Sequence, residues 1–255
     1  MLRTTVTIAA YTLLEALRNR LLWLLAVIAL AAIGVTGFLQ ELALTESRQI
    51  QVALLAALLR FAAVFLSATF VVTSMQREAN DKGLELFLAL PVPRAVYLLG
   101  KLAGFAALAV LPALLFGALC LFFAPFGQVA LWSLSLLWET WIVAAFSLLC
   151  VLSLRQVMPA LAAVAGFYLL ARAVGSLQLM AHGPPGTHAS SQHALQAGID
   201  ALAALLPRLD LFTRTEWLVY HTGTTQDLLE LGLHSAIYLS LLTAAALFDL
   251  YRKNI

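Results

Sequence analysis

Residues 21–39 contain no charged side chain, and five further apolar stretches follow at 52–75, 102–123, 129–152, 157–181 and 231–250. A helix rises ~1.5 Å per residue, so about 20 apolar residues cross the ~30 Å hydrocarbon core of a bilayer. A soluble core of 255 residues cannot enclose this much apolar surface, because 62% of the chain is hydrophobic, only 11% is charged and mean hydropathy is +0.93. The expected fold is an all-α polytopic membrane protein with six transmembrane helices, forming a single membrane domain over residues 1–255 with the lipid bilayer as its surroundings. Ahead of the first span, Val6, Ala10, Leu13, Leu14, Leu17 and Leu21 recur at helical spacing, while Thr12, Glu15, Arg18 and Asn19 lie off that stripe. The pattern predicts an amphipathic interface helix over 1–20. No small-residue cleavage site follows residues 21–39, so the first span reads as uncleaved.

Six spans place both termini on one side, and the basic residues decide which. That side holds ten Lys and Arg: Arg3, Arg18, Arg20, Arg77, Lys82, Arg94, Lys101, Arg155, Arg252 and Lys253. The other holds Arg48, Arg208 and Arg214. Both termini and residues 77–101 are therefore expected to be cytoplasmic, and residues 182–230 to face outward. The outer segment opens on His182-Gly183-Pro184-Pro185-Gly186. Leu195, Ile199, Leu202 and Leu206 then form a helical stripe that Pro207 ends. Thr213-Arg214-Thr215-Glu216 matches a capping box, with Trp217 and Tyr220 behind it. Two short outer helices are expected, either re-entrant or interfacial.

The motifs of common catalysts are missing: there is no GxxxxGK[ST], GxSxG, HExxH or GxGxxG. No catalytic residue is assigned, and the chain is not expected to be an enzyme. The formal charge of +2, without a basic cluster, argues against nucleic acid. Cys120 and Cys150 lie apart in apolar runs, as packing residues do. His182, His188 and His193 have spacings that fit no standard metal-ligand pattern, so no metal site is assigned.

Three charges fall inside spans, where each costs at least ~2.5 kcal/mol on insertion scales. Counted from the outer ends of their runs, Arg60, Glu139 and Arg172 all lie roughly 13–15 Å deep. Two readings stand. Either Glu139 pairs with one arginine to fix helix packing while the other snorkels outward, or an unpaired arginine faces a translocation path and favours an anionic cargo group. An ion-coupled secondary transporter using Glu139 with Arg60 or Arg172 is the functional alternative.

Residues 77–101 form the polar island between the second and third spans. Asp81 is placed to cap a short helix from about Lys82, Pro91 stops that helix, and Pro93 suits the first turn of the next. Gly83 is embedded within it, and Glu78, Asp81, Lys82 and Glu85 are expected to face water. Arg94 and Lys101, seven apart, fall on one face, and Gly100-x-x-x-Gly104 supports close helix packing.

Glu78, then Gly83-Leu84-Glu85-Leu86-Phe87-Leu88-Ala89-Leu90-Pro91-Val92-Pro93-Arg94, then Gly100-Lys101, resembles the cytoplasmic loop of type-2 ABC export permeases. The family commonly has Thr where Leu84 stands and Ser where Pro93 stands. Ala204-Leu205-Leu206-Pro207-Arg208-Leu209-Asp210-Leu211-Phe212 is similar to the branch that includes the nitrous-oxide-reductase maturation and gliding-motility permeases. The resemblance implies a transporter membrane subunit in a bacterial-type inner membrane, paired with a second permease chain, identical or not. Two cytoplasmic ABC ATPase subunits would carry ATP and Mg, leaving no cofactor on this chain. It also implies that residues 77–101 hold a coupling helix, with Glu78, Asp81, Lys82, Gly83, Glu85, Pro91, Pro93, Arg94 and Lys101 at the ATPase contact.

Overall fold

A computed structural model describes residues 2–19, 21–42, 47–81, 93–182 and 189–252. The helices are α1 (Leu2–Arg18), α2 (Leu21–Leu42), α3 (Ser47–Asn80), α4 (Arg94–Cys120), α5 (Phe126–Leu154), α6 (Val157–Ala181), α7 (Ala189–Leu205), α8 (Thr215–Val219) and α9 (Thr225–Arg252). A 3₁₀ turn at Leu209–Leu211 joins α7 to α8, and no strand occurs among the described residues. Helices α3, α4, α5, α6 and α9 are long and apolar enough to cross a membrane, and the bent pair α1–α2 raises the number to as many as six. With large apolar side chains such as Trp23, Leu114, Leu179 and Leu233 exposed on their outer faces, these helices suggest a multi-pass membrane protein.

Three prolines sit where a helix tolerates them, whereas Pro112 lies inside α4. Pro93 and Pro125 immediately precede α4 and α5 with φ of −58° and −65°. Pro159 falls in the first turn of α6, where the N–H has no helical partner to lose. A reciprocal cap opens α9: Thr224 N–H donates to Asp227 Oδ2 (3.0 Å), and Asp227 N–H donates to Thr224 Oγ1 (3.2 Å). The capping box expected at Thr213–Glu216 is absent; α8 starts after Arg214 without a side-chain cap, because Thr213 is engaged elsewhere.

Helix α5 is the central post, packed against α3, α4, α6 and α9, with Trp132, Leu136, Ile142 and Val143 fully enclosed. Phe146 stacks on Phe167 of α6 at 3.9 Å, and Gly232 lets α9 approach the Trp138 ring. Helix α3 has 34 residues and so is roughly 50 Å long, well beyond the ~30 Å bilayer core.

Helix α1 lies against α4, but not by the face that its apolar stripe marks out. Ile8, Thr12 and Ala16 are buried, whereas Val6, Leu14 and Leu17 are exposed. Built Cβ atoms at Gly100 and Gly104 would approach Ile8 Cβ at 2.8 Å and Thr12 Cβ at 2.6 Å, so the Gly100-x-x-x-Gly104 notch is what receives α1. The inversion has a physical reason. In an apolar solvent large aliphatic side chains gain little by turning inward, and close approach over small residues decides which face packs.

Candidate functional site: a buried polar centre and the ends of α3 and α4 that flank residues 82–92

Glu139, in the middle of α5, is fully buried, and a lone carboxylate there would be prohibitive. Three side chains bind its carboxylate. Arg172 Nη1 of α6 lies 3.1 Å from Oε1, and the Tyr168 hydroxyl, one turn earlier, donates to the same oxygen at 3.0 Å. Thr213 Oγ1 donates to Oε2 at 2.6 Å, and Thr213 N–H donates to Ser135 Oγ, one turn before Glu139, at 2.9 Å. Arg60 of α3 completes the set by donating from Nη1 to the Thr213 carbonyl at 3.3 Å.

The structure thus brings Arg60, Glu139 and Arg172 to one place, with Thr213 as the residue they share. Arg60 does not snorkel: it is 8% exposed, with its guanidinium 5.2 Å from the Phe61 ring. Its Nε has no hydrogen-bond acceptor among the described residues. Two cations face one carboxylate, and the surplus positive charge is met by backbone dipoles. Arg172 Nη1 reaches the Leu209 carbonyl at 2.8 Å and the Phe212 carbonyl at 3.3 Å, while Arg60 takes that of Thr213. Phe61 and Phe65 pack edge-on to the Tyr168 ring at 5.8 and 5.6 Å and close the centre on the α3 side.

Segment 209–218 is therefore a plug wedged among α3, α5 and α6, with Leu209, Phe212, Trp217 and Leu218 buried. Asp210 rests on α6 at Gly175, where any Cβ would fall on its carboxylate. Thr213 adopts φ 43°, a left-handed conformation that a β-branched residue avoids by about 1–2 kcal/mol. Its N–H, carbonyl and hydroxyl are all bound, which holds the conformation in place. Thr213→Val keeps the shape and removes the donor to Glu139. It should lower stability by about 1.5–3 kcal/mol, the worth of a hydrogen bond to a charged group, read as a fall in the thermal unfolding midpoint in neutral detergent.

Tyr168 and Ser135 were not singled out from the sequence, although each lies four residues before an intramembrane charge, Arg172 and Glu139 respectively. That spacing puts them on the same helix face and was the available signal. Nothing local marks Thr213.

A second polar cluster lies at the other end of α3. Lys101 of α4 pairs with Glu78 at 2.5 Å, and Arg77 pairs with Glu15 of α1 at 3.0 Å; Ser74 also donates to Glu15 at 3.0 Å. An open pocket of ≈ 570 Å³ between α1, α3 and α4 is lined by Thr12, Glu15, Arg77, Glu78, Asp81 and Lys101, among others. Asp81 and Pro93 are exposed. Glu78 and Lys101 are instead turned onto each other, and Lys101 is buried. Arg94 points away from Lys101 despite the seven-residue spacing, donating to the Leu250 carbonyl of α9 at 2.9 Å with its guanidinium 6.0 Å from the Tyr251 ring. Lys82, Gly83, Glu85 and Pro91, and with them the expected coupling helix, lie outside the described residues. Cys120 and Cys150 are separate, buried thiols. Among the described residues no group of three His, Cys, Asp or Glu could hold a metal ion. Compared with protein-family models and with curated proteins, the chain matches none.

Proposed function

We propose that this chain is the membrane-embedded permease subunit of an ATP-driven ABC exporter. In this reading α2, α3, α4, α5, α6 and α9 are the six spans and α1 is an interface helix. The base of the 82–92 loop is cytoplasmic, and the 209–218 plug belongs to the outer half of the membrane. A second permease chain and two cytoplasmic ATPases complete the transporter, with ATP and Mg on the ATPases.

One observation carries the reading: the two stems of the 82–92 loop are joined. Glu78 before the loop is paired with Lys101 after it, and α1 is fastened to both stems, to α3 through Glu15 and to α4 through the glycine notch. A load applied to the loop would be delivered to α3 and α4 together rather than spent in bending one of them. The ion-coupled alternative is less well supported, because Glu139 is enclosed and saturated by Arg172, Tyr168 and Thr213.

Asp81 is the discriminating residue, since it is exposed at the edge of the loop, whereas a change at Glu78 would also break the pair with Lys101. Affinity-purified native protein should bring down an ABC ATPase, and Asp81→Lys combined with Glu85→Lys should weaken that association by about tenfold or more while membrane insertion stays normal. Capture of no ATPase, together with transport that tracks an ion gradient and ignores ATP, would refute the proposal.

A further inference from the structure

A pocket of ≈ 360 Å³ opens at the end of the bundle opposite the Glu78–Lys101 pair, between the first turn of α3, the end of α4 and the turn after α8. Its walls are Val52, Phe123, Leu218 and Val219, and its polar lining is Arg48, Gln49 and His221. Among the described residues no acidic side chain lines it. Arg48 and His221 are both exposed, and neither has a hydrogen bond or ion pair among the described residues. His221 adopts φ 58°, a left-handed backbone that histidine takes up more readily than most residues. The turn that presents it is anchored from behind: Gln128 of α5 donates to the Gly223 carbonyl at 3.1 Å and accepts from the Gly223 N–H at 3.0 Å.

An apolar floor under a rim that carries a guanidinium, an imidazole and an amide, with no carboxylate among the described residues to compete, has the chemistry of an anionic amphiphile's binding site. Arg48 is suited to hold a phosphate through two parallel N–H donors. The walls would take the first carbons of an acyl chain. Exposed Leu121 and Phe122, just before Phe123, extend the apolar surface at the end of α4. We propose that this pocket binds the headgroup of an anionic phospholipid. Arg48 would hold the phosphate, with His221 and Gln49 beside it. The inference rests on the chain being a multi-pass membrane protein, and it needs no ATPase partner.

The test uses the full-length chain purified in neutral detergent, with phosphatidylglycerol or phosphatidylcholine added and bound lipid counted by native mass spectrometry. Phosphatidylglycerol should be retained in preference by roughly fivefold for each cation engaged. Arg48→Gln/His221→Gln should abolish the preference, while Arg155→Gln, an exposed arginine after the far end of α5, should leave it intact. Millimolar inorganic phosphate should not displace the lipid. The unsubstituted protein supplies a second measurement that does not depend on the folding of the double variant: slowed amide exchange at 217–221 in phosphatidylglycerol nanodiscs but not in phosphatidylcholine nanodiscs. Equal retention of the two lipids, an unchanged preference in the double variant, displacement by inorganic phosphate alone, or equal exchange in both nanodiscs would each overturn the assignment. Failure to find an ATPase would leave these readouts untouched, so the two proposals fail separately.

Discussion

Replacing Glu139 by leucine is expected to destabilise the protein by about 3–5 kcal/mol, the range for breaking a buried ion pair by removing one partner. The loss comes less from the missing attraction than from what is left behind. Arg172 and Arg60 would stay buried with only the Leu209, Phe212 and Thr213 carbonyls to meet two positive charges. The hydroxyls of Tyr168 and Thr213 would each lose an acceptor. Glu139→Gln should fall between the two, because its amide oxygen still accepts from one hydroxyl while the charge is gone. Glu139→Leu/Arg172→Met should be more stable than Glu139→Leu alone, since removing both members of the pair leaves one stranded cation fewer. The order of thermal unfolding midpoints in neutral detergent, wild type above Glu139→Gln above Glu139→Leu with the double variant above Glu139→Leu, is the measurement. A Glu139→Leu midpoint equal to that of wild type would show that the centre contributes nothing to holding the bundle together.

The second large effect is expected at the glycine notch. A side chain at residue 104 meets Thr12 Cβ at 2.6 Å and the Ala9 carbonyl at 3.0 Å. Neither atom is the free end of a flexible chain, so α1 as a whole must move. Overpacking of this kind costs ~1–3 kcal/mol. Gly104→Val should therefore shift the ratio of docked to undocked α1 by roughly 5- to 150-fold. Ala16, 0% exposed on the docked face, is the reporter. In an Ala16→Cys background, maleimide labelling should be slow with Gly104 and fast with Val at that position. Cys120 and Cys150 are buried and keep the background low. Equal labelling rates would show that α1 is held by its ion pair to Arg77 and not by the notch.

Apolarity is a property of each residue alone, so the long helices could be read without knowing what they touch, and observed ends such as Phe126–Leu154 and Val157–Ala181 lie close to the apolar runs. That Arg60, Glu139 and Arg172 share a level was legible for the same reason. Their partners were not, because which face of a helix meets which neighbour depends on rotation about its axis, and a single chain carries no direct record of that. Thr213 is the clearest case. Its spacing to Glu216 fits a capping box, but three helices offer it stronger bonds, and the fourfold attachment outcompetes the local one. The amphipathic character of helix α1 was legible in the same way, but the face by which it docks was not: Ile8, Thr12 and Ala16 are chosen by the glycines opposite them rather than by their own apolarity. Lys101 and Arg94, seven residues apart, part company because one finds Glu78 and the other the carbonyl end of α9.

The order in which the chain is made gives the polar centre a further meaning. Arg60, Glu139 and Arg172 belong to α3, α5 and α6, and all of them leave the ribosome before Thr213, the residue on which they converge. A nascent chain that has released α6 but not the plug holds both arginines without the 209–213 carbonyls. Completion of the bundle therefore waits on residue 213, and the bond from Arg94 to Leu250 waits longer still, spanning 156 residues of sequence. A chain cut short before its last helix would lack the Leu250 carbonyl that Arg94 takes at the head of α4, a bond by which a finished protein differs chemically from an unfinished one.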